Sequence, residues 1–295
     1  MFSLRIGSVD LEAVRNLSQR AETVDGFASL GAAIWRDLET PRRGSFDVVA
    51  EADGAMLAVA HVAPADNVAI GHRELGILVD PGARDVMLVT DLLELAVERA
   101  GTDETLIAWF PGSPEYATKA AQAAGFVQQR RLHRMERELP IDDVTPAWPD
   151  GVAVRTFRPG SDDEAWLELN NRAFAGHPEQ GGWVRSTLER RIAEPWFDPD
   201  GLLLAVSDGR LAGFCWTKQH DHAIGEIFVI GVDPDHQGGG LGRALVVAGY
   251  RSLHERGSEL GMLHVDAMNI AAIDLYRSLG LEVVRTDTAY VREPR

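Results

Sequence analysis

Cysteine is almost absent. Cys215 stands alone in 295 residues, so no internal disulfide framework holds this chain, and a reducing compartment suits it. Long apolar runs are missing too, and no stretch approaches the length of a membrane span. Residues 1–10, MFSLRIGSVD, lack the apolar core of a signal peptide, and a cytoplasmic protein is expected. Positive charge is scarce. With 29 Lys and Arg against 45 Asp and Glu, the formal net charge is −16, which argues against nucleic-acid and anionic-membrane partners. Any anionic ligand must therefore be held by local donors rather than by the field of the whole chain. Metal ligands are not clustered. His220-x-His222 is the closest histidine pair; it reads as a solvated polar turn with no carboxylate or cysteine cluster to match, so no metal is expected.

What is there is ordinary in amount, with 45% hydrophobic and 25% charged residues, and enough of it for two domains with cores of their own. The chain repeats itself at a shift of about 155 residues. A hairpin pattern turning at Asp53-Gly54 returns at Asp208-Gly209. Val79-Asp80-Pro81 returns as Val232-Asp233-Pro234, and Gly125-Phe126 as Gly280-Leu281. Each half reads as strand, helical region, antiparallel hairpin, strand, turn, helix, strand, helix, strand. That is a mixed α/β (α+β) unit with a central mixed sheet flanked by helices. A tandem duplication is expected, with domains at 1–140 and 152–295 and an acidic, proline-bearing linker at 141–151.

The halves differ where chemistry would sit. Residues 227–242 read I-F-V-I-G-V-D-P-D-H-Q-G-G-G-L-G, an apolar strand, an Asp-Pro turn and a glycine cluster running into an amphipathic helix pattern. Free N–H groups and partial positive charge at a helix N-terminus suit an anion, and glycines let it approach. A dinucleotide fingerprint fails, because from Gly238 the sixth position is Arg243 and from Gly240 it is Leu245. A P-loop fails for want of lysine. As a bare pattern, the string is also compatible with a glycine-rich turn entering a helix. In the first half the same place holds Arg84-Asp-Val-Met87-Leu-Val89, where bulky side chains would keep a ligand away, and Ala121 stands where the second half has Tyr276.

Gln237, Gly240 and Gly242 form Q-x-x-G-x-G, which resembles the pyrophosphate loop of the GCN5-related N-acetyltransferases. Asn269, Ala272, Tyr276, Gly280 and Leu281 resemble that superfamily's N-x-x-A-x-x-x-Y-x-x-x-G-F helix. H-P-E-Q-G-G-W at 177–183, W-F-D-P-D-G at 196–201, Trp216-Thr-Lys218, Gly225-Glu226 and D-T-A-Y at 287–290 closely resemble the mycothiol synthase family of actinobacteria. The likeness is dense over 170–290 and thin in the first half, where Val24-Asp25-Gly26 is the clearest similar string.

The resemblance implies a tandem GCN5-related N-acetyltransferase fold whose second domain is catalytic and whose first is degenerate. It would move an acetyl group from acetyl-CoA to the cysteinyl amine of a cysteine–glucosamine–inositol precursor, as a cytoplasmic monomer without metal. In the roles it implies, Glu226 is the general base and Tyr276 the acid that protonates the CoA thiolate, and a backbone N–H near Val229 or Ile230 holds the oxyanion. Substrate would meet Glu179, Lys218, Glu226 and His264. Acetyl-CoA would meet Ile230, Gly231 and Val232 on the strand and Gln237, Gly238, Gly239, Gly240, Leu241, Gly242 and Arg243 in the loop. It would also meet Asn269, Ile270, Ala271, Ala272, Ile273 and Asp274 entering the last helix. The chain departs from the family at three places: His264 replaces a tyrosine, Ala32 a carboxylate, and Gly238-Gly239 a basic pair. Other readings are an acetyltransferase for a different small amine, such as an aminoglycoside, and a non-catalytic acyl-CoA-binding module.

Overall fold

In the computed structural model, which describes residues 2–65, 72–101, 103–141, 144–177, 180–220 and 223–294, the chain forms two compact units. The first comprises Met1–Leu132 with Arg285–Arg295, and the second His133–Val284. The first contains β1 (Ser3–Ile6), α1 (Leu11–Asp25), α2 (Ala32–Glu39), β2 (Phe46–Ala52), β3 (Ala55–Pro64), β4 (His72–Val79), α3 (Val86–Ala100), β5 (Thr105–Phe110), α4 (Glu115–Ala123) and the start of β6 (Val127–Glu138). The second contains β7 (Val152–Thr156), α5 (Asp163–Ala173), α6 (Arg185–Ile192), β8 (Leu202–Ser207), β9 (Arg210–Gln219), β10 (Ile224–Val232), α7 (Leu241–Glu255), β11 (Leu260–Asp266), α8 (Ile270–Ser278) and the start of β12 (Glu282–Arg292). Both runs follow the order of elements read from the sequence.

The two hairpins form for the same local reason. A tight turn between twisted strands needs positive φ at both central residues. Asp53 and Gly54 supply φ of 52° and 79°, and Asp208 and Gly209 supply 49° and 75°. In each unit the hairpin continues antiparallel into a third strand, β4 or β10, and that strand then pairs in parallel with β5 or β11. In each unit the strand pairing is therefore mixed. α3 packs Leu88, Val89, Leu92 and Leu93 into the first core, while α7 packs Leu241, Leu245, Val246 and Leu253 into the second. α7 lies close on its sheet: a Cβ at Gly249 would stand 2.6 Å from the Cys215 sulfur. Cys215 is fully buried there, and burial pushes its thiol up to about 12, so it is a small packed hydrophobe.

The units do not divide at 141–151. The described residues of that segment form no helix or strand, but the division falls inside β6 and β12. From Arg285 onward β12 belongs to the first unit. It pairs antiparallel with β5, Ala289 opposite Trp109 and Tyr290 opposite Ala108, and buries Tyr290 edge-on against Phe110 at 5.6 Å between ring centres. From His133 onward β6 belongs to the second unit, as the neighbour of β11. Apolar patterning announces a strand; it carries no information about which sheet edge that strand joins.

Candidate active site

β10 organises the second unit's site. Its first four residues pair with β11, ending at Ile227 opposite Leu263, and there the parallel register stops. On its other side β10 stays paired with β9, through an irregularity between Ile227 and Val229 that leaves Phe228 without a register partner. Such a bulge bends the strand. The β10 edge that faced β11 is thus free of strand pairing beyond Ile227, and backbone groups there can pair with an extended polar chain. Ile230, Gly231 and Val232 lie along this stretch.

At the end of β10, Asp233 closes a tight turn by accepting from the Asp235 N–H, and Arg172 holds Asp233 and Asp235 at 3.0 and 2.7 Å. The loop then places Gly238 at φ 81° and Gly240, the residue capping α7, at φ 84°, where a side chain would be strained. No side chain caps α7, so its first-turn amides, at Leu241, Gly242 and Arg243, are left to an outside acceptor. Gln237 turns back toward the Val232 carbonyl at 3.4 Å. Arg243 donates to Ser278 at 2.7 Å, and a Cβ at Gly242 would meet Leu275 at 3.9 Å, so the loop and α8 are neighbours. Asn269 caps α8 by accepting from the Ala272 N–H, while Ile270 and Ala271 are exposed, Ile273 is buried and Asp274 is exposed on the next turn.

The corresponding place in the first unit is closed. Asp85 caps α3, its Oδ1 accepting from the Met87 and Leu88 N–H groups at 2.8 and 3.3 Å. The amides survive the repeat, but the chain's own carboxylate occupies them. Ala32 begins α2 in this unit.

Glu226 is the third residue of β10, with its side chain only 10% exposed. Its Oε2 accepts from His220 Nε2 at 2.7 Å, and its Oε1 lies 3.5 Å from His264 Nδ1. Burial alone would raise its pKa; the hydrogen bonds from His220 and His264 outweigh burial and bring it down to about 2. The carboxylate is therefore ionised, and an ionised carboxylate only accepts, so each facing imidazole nitrogen is the donor. The sequence reading of His220 as a solvated turn residue is corrected here. Gln219 pairs with Gly225 and Lys218 with Glu226, the His220 N–H donates to the Ile224 carbonyl at 2.8 Å, and this register sets the His220 ring against the carboxylate. Only the strand register could have revealed this. His222 and Glu179 lie outside the described residues.

Lys218, directly across from Glu226, sets its ammonium 4.8 Å from the ring centre of Trp196, which in turn packs on Phe228 at 5.0 Å. Tyr276 on α8 is buried among Ile227, Leu263 and Ile273, and burial followed by the nearby Cys215 pushes its phenol up to about 12, so it holds its proton. Tyr250 on α7, not singled out by the sequence reading, is fully buried with an unpartnered hydroxyl. Burial first, then the neighbouring Tyr276, Cys215 and Glu226, raise it well above its ordinary value. Among the described residues no group of three or more His, Cys, Asp or Glu side chains could hold a metal ion. No described helix is long and apolar enough to cross a membrane.

Residues 164–281 match the Acetyltransferase (GNAT) family. The whole chain is 42% identical to a mycothiol acetyltransferase of Thermomonospora curvata, of which it covers 97%. Among solved structures, a GCN5-related N-acetyltransferase from Sphaerobacter thermophilus is similar over 100% of this chain and 96% of its own, with a TM-score of 0.79 and 26% identity. A tandem GNAT protein from the clavulanic acid biosynthesis pathway shares the fold, with a TM-score of 0.71 at 20% identity over 100% of this chain and 99% of its own.

Proposed function

The chain belongs to the mycothiol acetyltransferase family, and from that premise we propose that its second unit carries acetyl from acetyl-CoA to the cysteinyl amine of a cysteine–glucosamine–inositol pseudodisaccharide. The observation that carries this reading is β10 itself: one strand has a buried, ionised carboxylate near its start, a vacated edge in its second half, and an uncapped helix at its end. An acetyl thioester on a long diphosphate-bearing arm needs these three provisions in this order. The diphosphate suits the Gln237–Arg243 loop and the first-turn amides of α7. The amide-bearing arm suits Ile230, Gly231 and Val232, with Asn269, Ile270, Ala271, Ala272, Ile273 and Asp274 opposite. The acetyl group then lies toward Glu226.

The acceptor amine arrives mainly as ammonium and must lose a proton before its nitrogen attacks the thioester carbonyl. Glu226 is the carboxylate toward which that proton leaves. A backbone N–H near Val229 or Ile230 steadies the oxyanion, and the Tyr276 phenol gives its proton to the departing thiolate. Lys218, His264 and Glu179 are the proposed contacts for the sugar and amine. The first unit, with Asp85 in its helix amides, is assigned no acetyl-CoA. The test is incubation with acetyl-CoA and the cysteinyl pseudodisaccharide, with free CoA and N-acetylated product followed by chromatography. Equal yields of both are expected. Turnover of other amines without this one would reassign the acceptor and leave the acetyl transfer standing.

A further inference from the structure

We propose that the group meeting the substrate ammonium is the His264 imidazole, with Glu226 as the carboxylate that orients and charges it. This rests on the acetyl transfer proposed above and refines its first step. Glu226 is enclosed between two imidazoles, with one facing nitrogen on each oxygen, and its side chain is 10% exposed against 33% for each ring, so a ligand from solvent meets the rings before the carboxylate. Its low proton affinity makes it a poor acceptor for an ammonium proton, whereas imidazole is the side chain suited to that exchange near neutral pH.

Geometry selects His264 over His220. His264 follows directly after Leu263, the last β11 residue paired with β10, so it stands at the mouth of the vacated edge. It shares the face of Glu226, whose β11 partner is Met262, because alternate residues of a strand point the same way. Its Nδ1 faces Glu226 Oε1, which fixes the tautomer with the proton on Nδ1 and leaves the outer Nε2 as the acceptor. Its side chain is 33% exposed, against 10% for Glu226. His220 is bound the other way round, through Nε2, which leaves as its acceptor Nδ1, the nitrogen nearer its own backbone. It donates to the second oxygen and holds the carboxylate still. Among the described residues, Lys218 on β9 stands across from Glu226, and Tyr250 on α7, itself beside Tyr276 and Cys215, also faces this carboxylate.

Neutral His264 Nε2 takes one proton from the ammonium and becomes an imidazolium paired with Glu226. The freed amine forms the C–N bond, the C–S bond breaks, and the thiolate receives the Tyr276 proton. The nitrogen's second proton restores Tyr276, and the imidazolium gives its proton to solvent. The net products are amide, thiol and one released proton.

The experiment is chemical rescue. His264→Ala, His264→Gln and His220→Gln are compared with wild type at saturating acetyl-CoA, with and without added imidazole, using a primary amine the wild type turns over. His264→Ala and His264→Gln are expected to lose about 100-fold or more in kcat with the KM for acetyl-CoA unchanged. Imidazole should restore His264→Ala in proportion to its free-base concentration, and do nothing for His264→Gln, whose side chain fills the site, or for His220→Gln. Wild-type kcat in His264→Ala, or a loss that imidazole does not restore, overturns the proposal and returns the proton to Glu226. Failure of the wild type on the pseudodisaccharide alone, with rescue intact on another amine, would sink the acceptor assignment and leave His264 in its role. A wild type that turns over no amine overturns both.

Discussion

At the scale of single residues, the two units use buried charge differently. In the second, Glu226 is ionised beside imidazoles open to solvent, an arrangement suited to passing a proton. Glu226→Gln, which keeps the hydrogen-bonding shape and removes the charge, should lower kcat about 100-fold while acetyl-CoA binding measured by calorimetry stays the same. A drop confined to KM would mean that Glu226 binds rather than activates. In the first unit the buried His61 is locked between Asp47 at 2.7 Å and Asp37 at 2.9 Å, and Arg42 sits 2.5 Å from Asp37. Burial works against the protonated ring, but the hydrogen bonds it donates to Asp47 and Asp37 prevail and its pKa is raised. The folded state thus holds this proton more tightly than the unfolded chain does. The stabilisation is complete below the ordinary histidine pKa of about 6.5 and fades as pH climbs through the folded value. The melting temperature of the wild type should fall as pH rises from about 6.5 into the alkaline range, whereas His61→Gln should melt lower and show a flatter profile over that window. Parallel profiles would refute the linkage. Spacing and motif were enough to put Glu226 on a strand and Tyr276 on a helix. The resemblance put His264 at the site with Glu226, but His220 was not legible there, because its approach depends on the pairing register of β9 with β10.

At the scale of elements, the contrast between α7 and α3 is one of capping. The sequence showed bulky residues replacing glycines in the first half; it did not show that Asp85 would turn back onto the amides, although an aspartate ahead of a helix is a common cap. Calorimetric titration should therefore give one acetyl-CoA per chain, and a second site of similar affinity would contradict the assignment. The same loop invites a gain of function. Gly239, unlike Gly238 and Gly240, has no left-handed φ, and a Cβ there would meet nothing within 4 Å. Gly239→Arg should add a cation beside the diphosphate and lower the KM for acetyl-CoA about two- to five-fold at low salt, the scale of an exposed ion pair. The gain should vanish in high salt. A change indifferent to salt would point to another cause.

At the scale of the whole molecule, the repeat was legible and the sharing of strands was not. Two hairpin turns, two Asp-Pro turns and two terminal glycines announced the duplication, yet the stretch read as the second half's last strand completes the first unit. Tyr290, 1% exposed against Phe110, is the measure of that completion. Tyr290→Ala should destabilise the first unit by about 3–5 kcal/mol in urea unfolding, as for other buried large aromatics. A cost under about 1 kcal/mol would show that the strand is dispensable. Fragment 1–140 should be poorly soluble, since it leaves the β5 edge unpaired. The same feature bears on biosynthesis. Chains emerge from the ribosome in order, and domains generally fold as they appear. Here residues 285–292 emerge only after all of the second unit, so the first sheet spends that interval with an open edge. The half of the protein made first is the half that closes last.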